Sequence, residues 1–359
     1  MHSLYYSIPL FVASLALVVG GSVLLSRSMS RLGEHWNIPE QFLGFLMALG
    51  ADSPEISSAV VAMLSGQTAT GVGVVFGSNL FNLASLLGLA AVVGGGISVR
   101  RESVLLEGGV GVLVLALASA LALQQLGAQV ALALVLLIML PYAIVLMLPP
   151  ERLQKITLPT TWIRFLLSAA TESHEHGKQV QATEREEQEK RDRERLLQGK
   201  VPKPERPKKL LLWLFGTLVV IILGSVGLVR STTWLTSGWL PEDLLGTLVL
   251  AGLTGIPNLY TAARLARRHR GAAVFTEAMN SNSLNIVVGL MIPSLLFGSI
   301  APHKTGGYLD IVWLLAMTGV VVALFAVNQG MKKILGMLVI AAYLAFVAVR
   351  VYLSLSASG

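Results

Sequence analysis

The sequence contains no cysteine and few charged residues, and both absences narrow the class of protein. Without cysteine among its 359 residues, the chain can form no disulfide, thiolate metal site or cysteine nucleophile. Charged residues make up 13% of the chain, about half the share found in soluble domains. The apolar stretches also contain no paired-Asp, His-Glu-x-x-His or Ser-His motif. We therefore expect a protein that is neither soluble nor an enzyme.

Long apolar stretches are what the sequence has in abundance, with 54% hydrophobic residues. A bilayer core about 30 Å thick needs roughly 20 apolar residues per helix. Ten such stretches occur, at approximately 4–26, 38–64, 70–95, 103–124, 128–149, 209–229, 240–263, 271–298, 307–328 and 333–354. The sequence therefore predicts an all-α polytopic membrane protein with about ten transmembrane helices. It divides into a five-helix repeat at 1–149, a charged loop at 150–208 and a second five-helix repeat at 209–359.

The distribution of Lys and Arg predicts the orientation. If the 150–208 loop is cytoplasmic, the short cytoplasmic loops hold ten basic residues and the outer loops three, as the positive-inside rule requires. Both termini then lie outside, and an integral protein of the plasma (inner) membrane is expected. Because each half has five helices, the halves have opposite topology, which is typical of secondary transporters.

The basic residues also suggest which partners to expect. The net charge of +7 does not indicate nucleic acid, because the basic residues lie between apolar spans. The basic run at 200–209 is expected to contact anionic lipid. The oligomeric state remains open.

The two halves match at an offset of 203 residues. This shift places Pro54 on Pro257, and Ser78, Asn79 and Asn82 on their counterparts at 281, 282 and 285. A proline within a helix removes one backbone hydrogen bond, and lipid cannot satisfy the freed carbonyl. Carbonyls near 48–51 and 251–254 are therefore expected to face a polar site, and hard cations prefer such oxygens. The candidate ligands on the broken helices and those that follow them are Asp52, Glu55, Ser78, Asn82, Thr254, Asn258, Glu277, Ser281 and Asn285.

Two short motifs carry a resemblance to a known family. Residues 50–55 (GADSPE) and 77–82 (GSNLFN) resemble the first alpha-repeat of the cation/calcium exchanger superfamily, which includes the sodium/calcium exchangers. The family pattern is roughly G-T-S-x-P-E, followed by G-S-N-x-x-N or G-S-N-x-x-D. Residues 253–258 (LTGIPN) and 280–285 (NSNSLN) are similar to the second repeat but degenerate.

The resemblance implies a set of ligands at a central site. It implies side-chain ligands at Glu55 and Asn82, hydroxyl ligands at Ser78 and Ser281, and carbonyl ligands near residues 48 and 251.

The sequence departs from the family pattern in its acids. Asn258 and Asn285 stand where the family usually has Glu and often Asp. Asp52 stands where the family usually has Ser, three residues from Glu55, so it could restore one negative charge. Glu277 lies one turn before position 281 and could be a relocated acid, a proton carrier or the lip of the ion path.

These observations predict a secondary-active cation antiporter that works by alternating access at a site near the membrane midplane. Two ionised acids, Asp52 and Glu55, would suit calcium or another divalent cation, exchanged for sodium or protons. Repulsion between them would favour a proton on one of the two. The alternatives are a monovalent cation/proton antiporter and a non-transporting scaffold or sensor. No cofactor is expected beyond the transported cation itself, calcium, sodium or a proton.

Overall fold

Helices dominate the structure, a computed structural model that describes residues 4–36, 48–156, 159–198, 207–236, 240–241, 244–298 and 304–358. The first half contains α1 (Leu4–His35), α2 (Ser53–Leu64), α3 (Thr68–Asn82), α4 (Ala90–Val93), β1 (Gly96–Ser98), α5 (Arg101–Ser103), α6 (Gly109–Ala122), α7 (Ala128–Met147) and α8 (Pro150–Leu153). Two π-helical segments, Leu83–Leu89 and Val104–Gly108, continue α3 into α4 and α5 into α6.

The second half follows a long loop helix, α9 (Thr160–Leu197). It contains α10 (Pro207–Thr236), α11 (Ala251–Thr254), α12 (Ile256–Arg267), α13 (Gly271–Ile286), α14 (Ile292–Phe297), α15 (Lys304–Asn328), β2 (Gly330–Lys332) and α16 (Lys333–Ser358). The π-helical segment Leu245–Leu250 precedes α11, and Val287–Met291 joins α13 to α14.

The predicted membrane architecture is confirmed. Within the described ranges, eight helical spans are long and apolar enough to cross a bilayer, and a ninth is broken between Thr254 and Ile256 by a bend of 50°. The remaining predicted span, 38–64, contains the shorter apolar helix α2. Its residues 38–47 lie outside the described residues. The fold is thus all-α and polytopic, with about ten helices in two repeats.

A single offset relates the two halves along most of their length. The bounds of α2 and α12 differ by 203 residues at both ends, and α3 and α13 begin 203 residues apart. The starts of α1 and α10 are separated by the same number. Because each repeat contains an odd number of spans, five in the predicted division, the second half crosses the membrane in the opposite direction to the first.

Two spans form the centre of the bundle. The span Thr68–Val93 is 89% buried and Gly271–Phe297 is 61% buried, whereas spans such as Ala128–Met147 and Lys333–Ser356 are 22% buried. Apolar side chains on the outer surface of a membrane protein contact lipid, so the weakly buried helices form the perimeter of the bundle. The polar residues of α3 and α13 therefore lie in the interior of the protein.

A two-stranded antiparallel ladder connects the halves at one end of the bundle. Strand β1 pairs with β2 through Gly96↔Lys332, Ile97↔Met331 and Ser98↔Gly330. Gly330 has φ +145°, and a Cβ there would meet the carbonyl oxygen of Ile97. The close approach of the two paired strands therefore requires glycine at position 330.

The loop helix packs more closely than the sequence suggested. Residues 169–197 are rich in Glu, Arg, Lys and Gln, which predicts a solvated or frayed helix. In the structure, however, Ala169 and Ala170 are fully buried and Glu172 is 9% exposed. The Glu172 carboxylate accepts the Arg100 backbone N–H at 3.1 and 3.3 Å, which satisfies a donor at the start of α5. The expectation was therefore wrong for the start of this stretch, where small side chains allow close packing.

Candidate cation site at the crossing of the two broken helices

The two proline-containing helices bend in the same way. Asp52 has φ −79° and ψ −6°, and Gly255, at the equivalent position, has φ −78° and ψ −4°. In both helices this residue donates its N–H to a carbonyl four residues earlier, at 2.8 and 3.1 Å. Proline then occupies the second position of the next helix, where its missing N–H is tolerated. The same local chemistry thus produces the same break in each half.

Several backbone carbonyls near the breaks accept hydrogen bonds within their own helices. The Ala48 and Ala251 carbonyls accept the backbone N–H groups of Asp52 and Gly255. Pro54 cannot donate to Gly50, but the Ser53 hydroxyl donates to that carbonyl at 2.6 Å. The Ala48, Gly50 and Ala251 carbonyls thus each accept one hydrogen bond in this conformation, and their role as cation ligands stays a prediction. Side chains supply the partner-free oxygens instead.

Asp52 and Glu55 of the first half contact polar side chains of the second half. Asp52 Oδ1 accepts hydrogen bonds from Asn258 Nδ2 at 2.8 Å and Ser281 Oγ at 2.7 Å. Glu55 Oε1 accepts from Asn258 Nδ2 at 3.3 Å, and Oε2 accepts from Asn285 Nδ2. All five residues are 1% exposed. One amide, that of Asn258, therefore bridges both acids, and the two broken helices meet at this point.

No basic side chain is paired with these acids. None of the ion pairs in the described part of the chain involves Asp52 or Glu55. Their partners are neutral N–H and O–H groups, which stabilise a carboxylate without cancelling its charge. A buried charge that is not compensated is strongly unfavourable. Protons or a bound cation must therefore balance up to two negative charges here.

Several buried side-chain oxygens, of Asp52 and of the polar residues of α3, α12 and α13, have no hydrogen-bond partner among the described residues. Buried polar atoms are normally paired, so such a group calls for an explanation. These atoms come from carboxylate, amide and hydroxyl groups, the ligands that hard cations prefer. They are Asp52 Oδ2, Ser78 Oγ, Asn79 Oδ1, Asn82 Oδ1, Asn258 Oδ1 and Asn285 Oδ1.

An asparagine pair joins α3 to α13 beside the acids. Asn79 Nδ2 donates to the Asn282 carbonyl at 3.1 Å, and Asn282 Nδ2 donates to the Asn79 carbonyl at 3.3 Å. Because these residues are 203 apart, the exchange places them on the internal symmetry axis. Asn82 Nδ2 donates to Ser281 Oγ and Asn282 Oδ1, both at 3.1 Å. Sequence reasoning assigned no role to the 79–282 pair, although its match at the common offset was the available signal.

Two predicted residues do not hydrogen-bond to the acids. The Thr254 hydroxyl donates to the Leu250 carbonyl of its own helix at 2.8 Å. Glu277 is half-buried and interacts electrostatically with Arg264 and Asp52. Asp52, considered as a helix cap, makes no side-chain capping bond. The structure thus brings together Asp52, Glu55, Asn82, Asn258, Ser281 and Asn285, with Ser78 buried one turn before Asn82.

The chain matches known sequences along both halves. The family model described as sodium/calcium exchanger protein matches residues 6–149 and 209–352. Sodium/potassium/calcium exchanger 1 of Gallus gallus is 30% identical over 151 residues, covering 38% of this chain and 23% of that protein. Sodium/potassium/calcium exchanger 2 of Homo sapiens is 32% identical over 162 residues, covering 43% and 24%. The aligned region thus spans about a quarter of these relatives.

Solved structures share the fold. A crystal structure of the H⁺/Ca²⁺ exchanger CAX has a TM-score of 0.68 and 13% identity, covering 98% of this chain and 87% of that one. The sodium-calcium exchanger NCX_Mj has a TM-score of 0.57 and 19% identity, covering 96% and 99%. At these identities the likeness shows the fold.

Proposed function

The chain belongs to the sodium/calcium exchanger protein family, and on that basis we propose that it is a secondary-active cation antiporter. The proposed cargo is calcium or another divalent cation, exchanged for sodium or protons by alternating access. The proposed site is the meeting point of the two broken helices, with the Asp52 and Glu55 carboxylates as the charged ligands. Asn82, Asn258, Ser281, Asn285 and Ser78 would add amide and hydroxyl oxygens.

One observation carries this proposal: two buried carboxylates have only neutral hydrogen-bond partners. Two ionised acids provide a charge of −2, which matches one divalent cation. The partner-free oxygens beside them supply further ligands, since calcium takes six to eight oxygens. Because the amide N–H groups of Asn258 and Asn285 now contact the acids, cation entry would require these amides to turn. Each amide would then present its oxygen, rather than its N–H group, to the cation.

A monovalent cation/proton antiporter is the second candidate, and the amides at 258 and 285 favour it. Both residues are neutral, so a third or fourth carboxylate is missing from the cluster. The remaining charge of −2 would also be balanced by two monovalent cations, or by one such cation and one proton. Glu277, which interacts with Asp52, would then serve as a proton relay toward the site.

Flux across sealed proteoliposomes tests both candidates. Uptake of labelled calcium, magnesium, sodium and rubidium would be measured against sodium or proton gradients, with a pH-sensitive dye inside the vesicle. The variant Glu55→Gln keeps the shape of the side chain and removes its charge, and Glu151→Gln makes the same change at an exposed position. We expect coupled flux in wild type and Glu151→Gln, and a loss of at least about 100-fold in Glu55→Gln.

The outcomes separate the candidates. Divalent flux supports the leading proposal, and sodium or rubidium flux with proton movement but no divalent flux supports the second. Flux that is unchanged by Glu55→Gln would reject this site. An intact, monodisperse protein with no flux of any cation would favour a scaffold or sensor with the exchanger fold.

The orientation is also a proposal: the 150–208 loop cytoplasmic, both termini outside, and residues 200–209 near anionic lipid. The excess of Lys and Arg on the loop side supports it. Since the chain has no cysteine, a single introduced cysteine can be labelled without background. Replacing the exposed Glu186 by cysteine should give a site that an impermeant maleimide reaches only after cell lysis. Labelling in intact cells would show that the loop faces outward, contrary to the proposed orientation.

A further inference from the structure

A third carboxylate, Glu107, is buried in the membrane-spanning part of the protein, away from the first two. It lies in the π-helical segment Val104–Gly108 and is 2% exposed. Thr276 of α13 lies within reach of its carboxylate. Its Oε2 atom has no partner in the part of the chain that the structure describes. A buried acid at this depth is a functional candidate.

Neutral oxygens surround Glu107. Ser103, one turn earlier, is 1% exposed, and its Oγ has no partner within the described ranges. Residues four apart on a helix share a face, so Ser103 Oγ lies on the same side as the Glu107 carboxylate. Tyr142, which is close enough to Glu107 to interact electrostatically, donates its phenol hydrogen to Asn280 Oδ1 at 2.8 Å. The cluster therefore contains carboxylate, hydroxyl, phenol and amide oxygens.

When it is ionised, Glu107 gives this cluster a negative charge. No ion pair between described residues involves Glu107. A further charge that acts on it, that of Glu172 on the loop helix, is also negative. Glu172 is bonded to the Arg100 N–H and lies outside the cluster, so the cluster itself has one carboxylate, which with neutral oxygens around it compensates a single positive charge. This balance suits a monovalent cation better than a divalent one.

Helix α13 separates this cluster from the site of Asp52 and Glu55. Thr276 and Asn280 are four residues apart and share one face of α13. Ser281, which contacts Asp52, and Asn285, which contacts Glu55, share the neighbouring face. A single helix thus carries ligands for both clusters on adjacent faces.

We propose that Ser103, Glu107, Tyr142, Thr276 and Asn280 form a second cation site, which binds a monovalent metal ion of the sodium or potassium type. This inference does not depend on the proposed antiport, because it is drawn from a separate carboxylate with its own partners.

Direct binding of ²²Na⁺ and ⁸⁶Rb⁺ to the purified full-length protein tests this site. The measurement is made in the Glu55→Gln background, where the site between the broken helices is weakened, so the remaining bound isotope reports the second cluster. We expect saturable binding of at least one isotope. Adding Glu107→Gln should weaken that binding roughly tenfold or more, and Thr276→Val by several-fold, since it removes one neutral oxygen. The control Glu151→Gln should leave it unchanged.

The readout distinguishes this site from a structural acid. Saturable isotope binding that Glu107→Gln leaves unchanged would overturn the proposal, as would no saturable binding of either ion by a monodisperse Glu55→Gln protein. If Glu107→Gln does not fold, Thr276→Val and Tyr142→Phe take its place: weakened binding in both supports the site, and unchanged binding in both overturns it. Failure of transport in vesicles would reject the antiporter without affecting this result.

Discussion

Exchanging the side chains of Asp52 and Asn258 tests how charge is arranged between the halves. Asn258 Nδ2 donates to Asp52 Oδ1 at 2.8 Å, and both residues are 1% exposed. The double variant Asp52→Asn/Asn258→Asp therefore moves one negative charge by about one hydrogen-bond length. The hydrogen bond remains, with donor and acceptor reversed, so the packing changes little.

The expected change in cation affinity follows from the number of carboxylates at the site. Asp52→Asn alone leaves one charge, that of Glu55, to balance the cation. Removing one member of a buried charge pair typically costs about 3 to 5 kcal/mol, and each 1.4 kcal/mol is about tenfold in Kd. We therefore expect the concentration for half-maximal uptake to rise at least about 100-fold in the single variant. The double variant restores two carboxylates and should return to within about tenfold of wild type.

Cation-dependent uptake in proteoliposomes measures this recovery, with the ion identified by the flux panel. Asn258→Asp completes the double-mutant cycle, which isolates the coupling between the two positions. Elution as a single species and an unfolding midpoint near wild type establish that each variant is folded. A folded double variant as defective as Asp52→Asn would refute the reasoning, because the charge would then be needed at position 52 itself.

Two further predictions concern packing around the site. A Cβ on Gly77 would meet the backbone carbonyl of Thr247, so Gly77→Ala should destabilise the protein by about 1–3 kcal/mol. Gly109→Ala, where a Cβ has open space, is the control, and equal unfolding midpoints for the two variants would contradict the close approach. Arg350 Nε lies 2.7 Å from Asp310 Oδ1, and the Thr247 hydroxyl donates to Asp310 Oδ2 at 3.0 Å. Arg350→Met removes the positive charge beside this buried acid and should therefore cost about 3–5 kcal/mol. Adding Asp310→Leu should recover most of that loss in thermal unfolding, and no recovery would argue against the pairing.

The sequence predicted the membrane architecture because hydrophobic length and basic residues are local signals. The ten apolar stretches and the offset of 203 both required only the order of residues. The convergence of Glu55 with Asn258 was also predictable, since both flank prolines at equivalent positions. In inverted repeats, equivalent broken helices meet near the midplane. That argument placed the residues near one another but did not say which atoms touch.

Contacts that depend on helix rotation were beyond sequence reasoning. Arg350 was one of the three basic residues counted on the outer side; its burial (2% exposed) and its pairing with Asp310, 40 residues away, were not predicted. Thr254 stays a predicted ligand, but that its hydroxyl donates to the Leu250 carbonyl of its own helix was not readable from the sequence. Glu107 drew no attention, because a lone acid near the start of an apolar stretch resembles a residue at a helix end. The rotation and depth of each helix, fixed by packing against its neighbours, decided these cases.

The constant offset between the two halves has a consequence for the side of the membrane to which the protein opens at rest. At the two equivalent positions where acids stand in the first half, Asp52 and Glu55, the second half has Gly255 and Asn258. A perfectly duplicated molecule would have equal free energies when open to either side of the bilayer, because rotating it by half a turn exchanges the two forms. Here both carboxylates belong to the first half. The inward-open and outward-open forms therefore differ in free energy, because the electrostatic environment of these two charges differs between the two forms. For the proposed exchange, the imbalance sets a built-in preference for one resting orientation, while the ion gradients still decide the net direction.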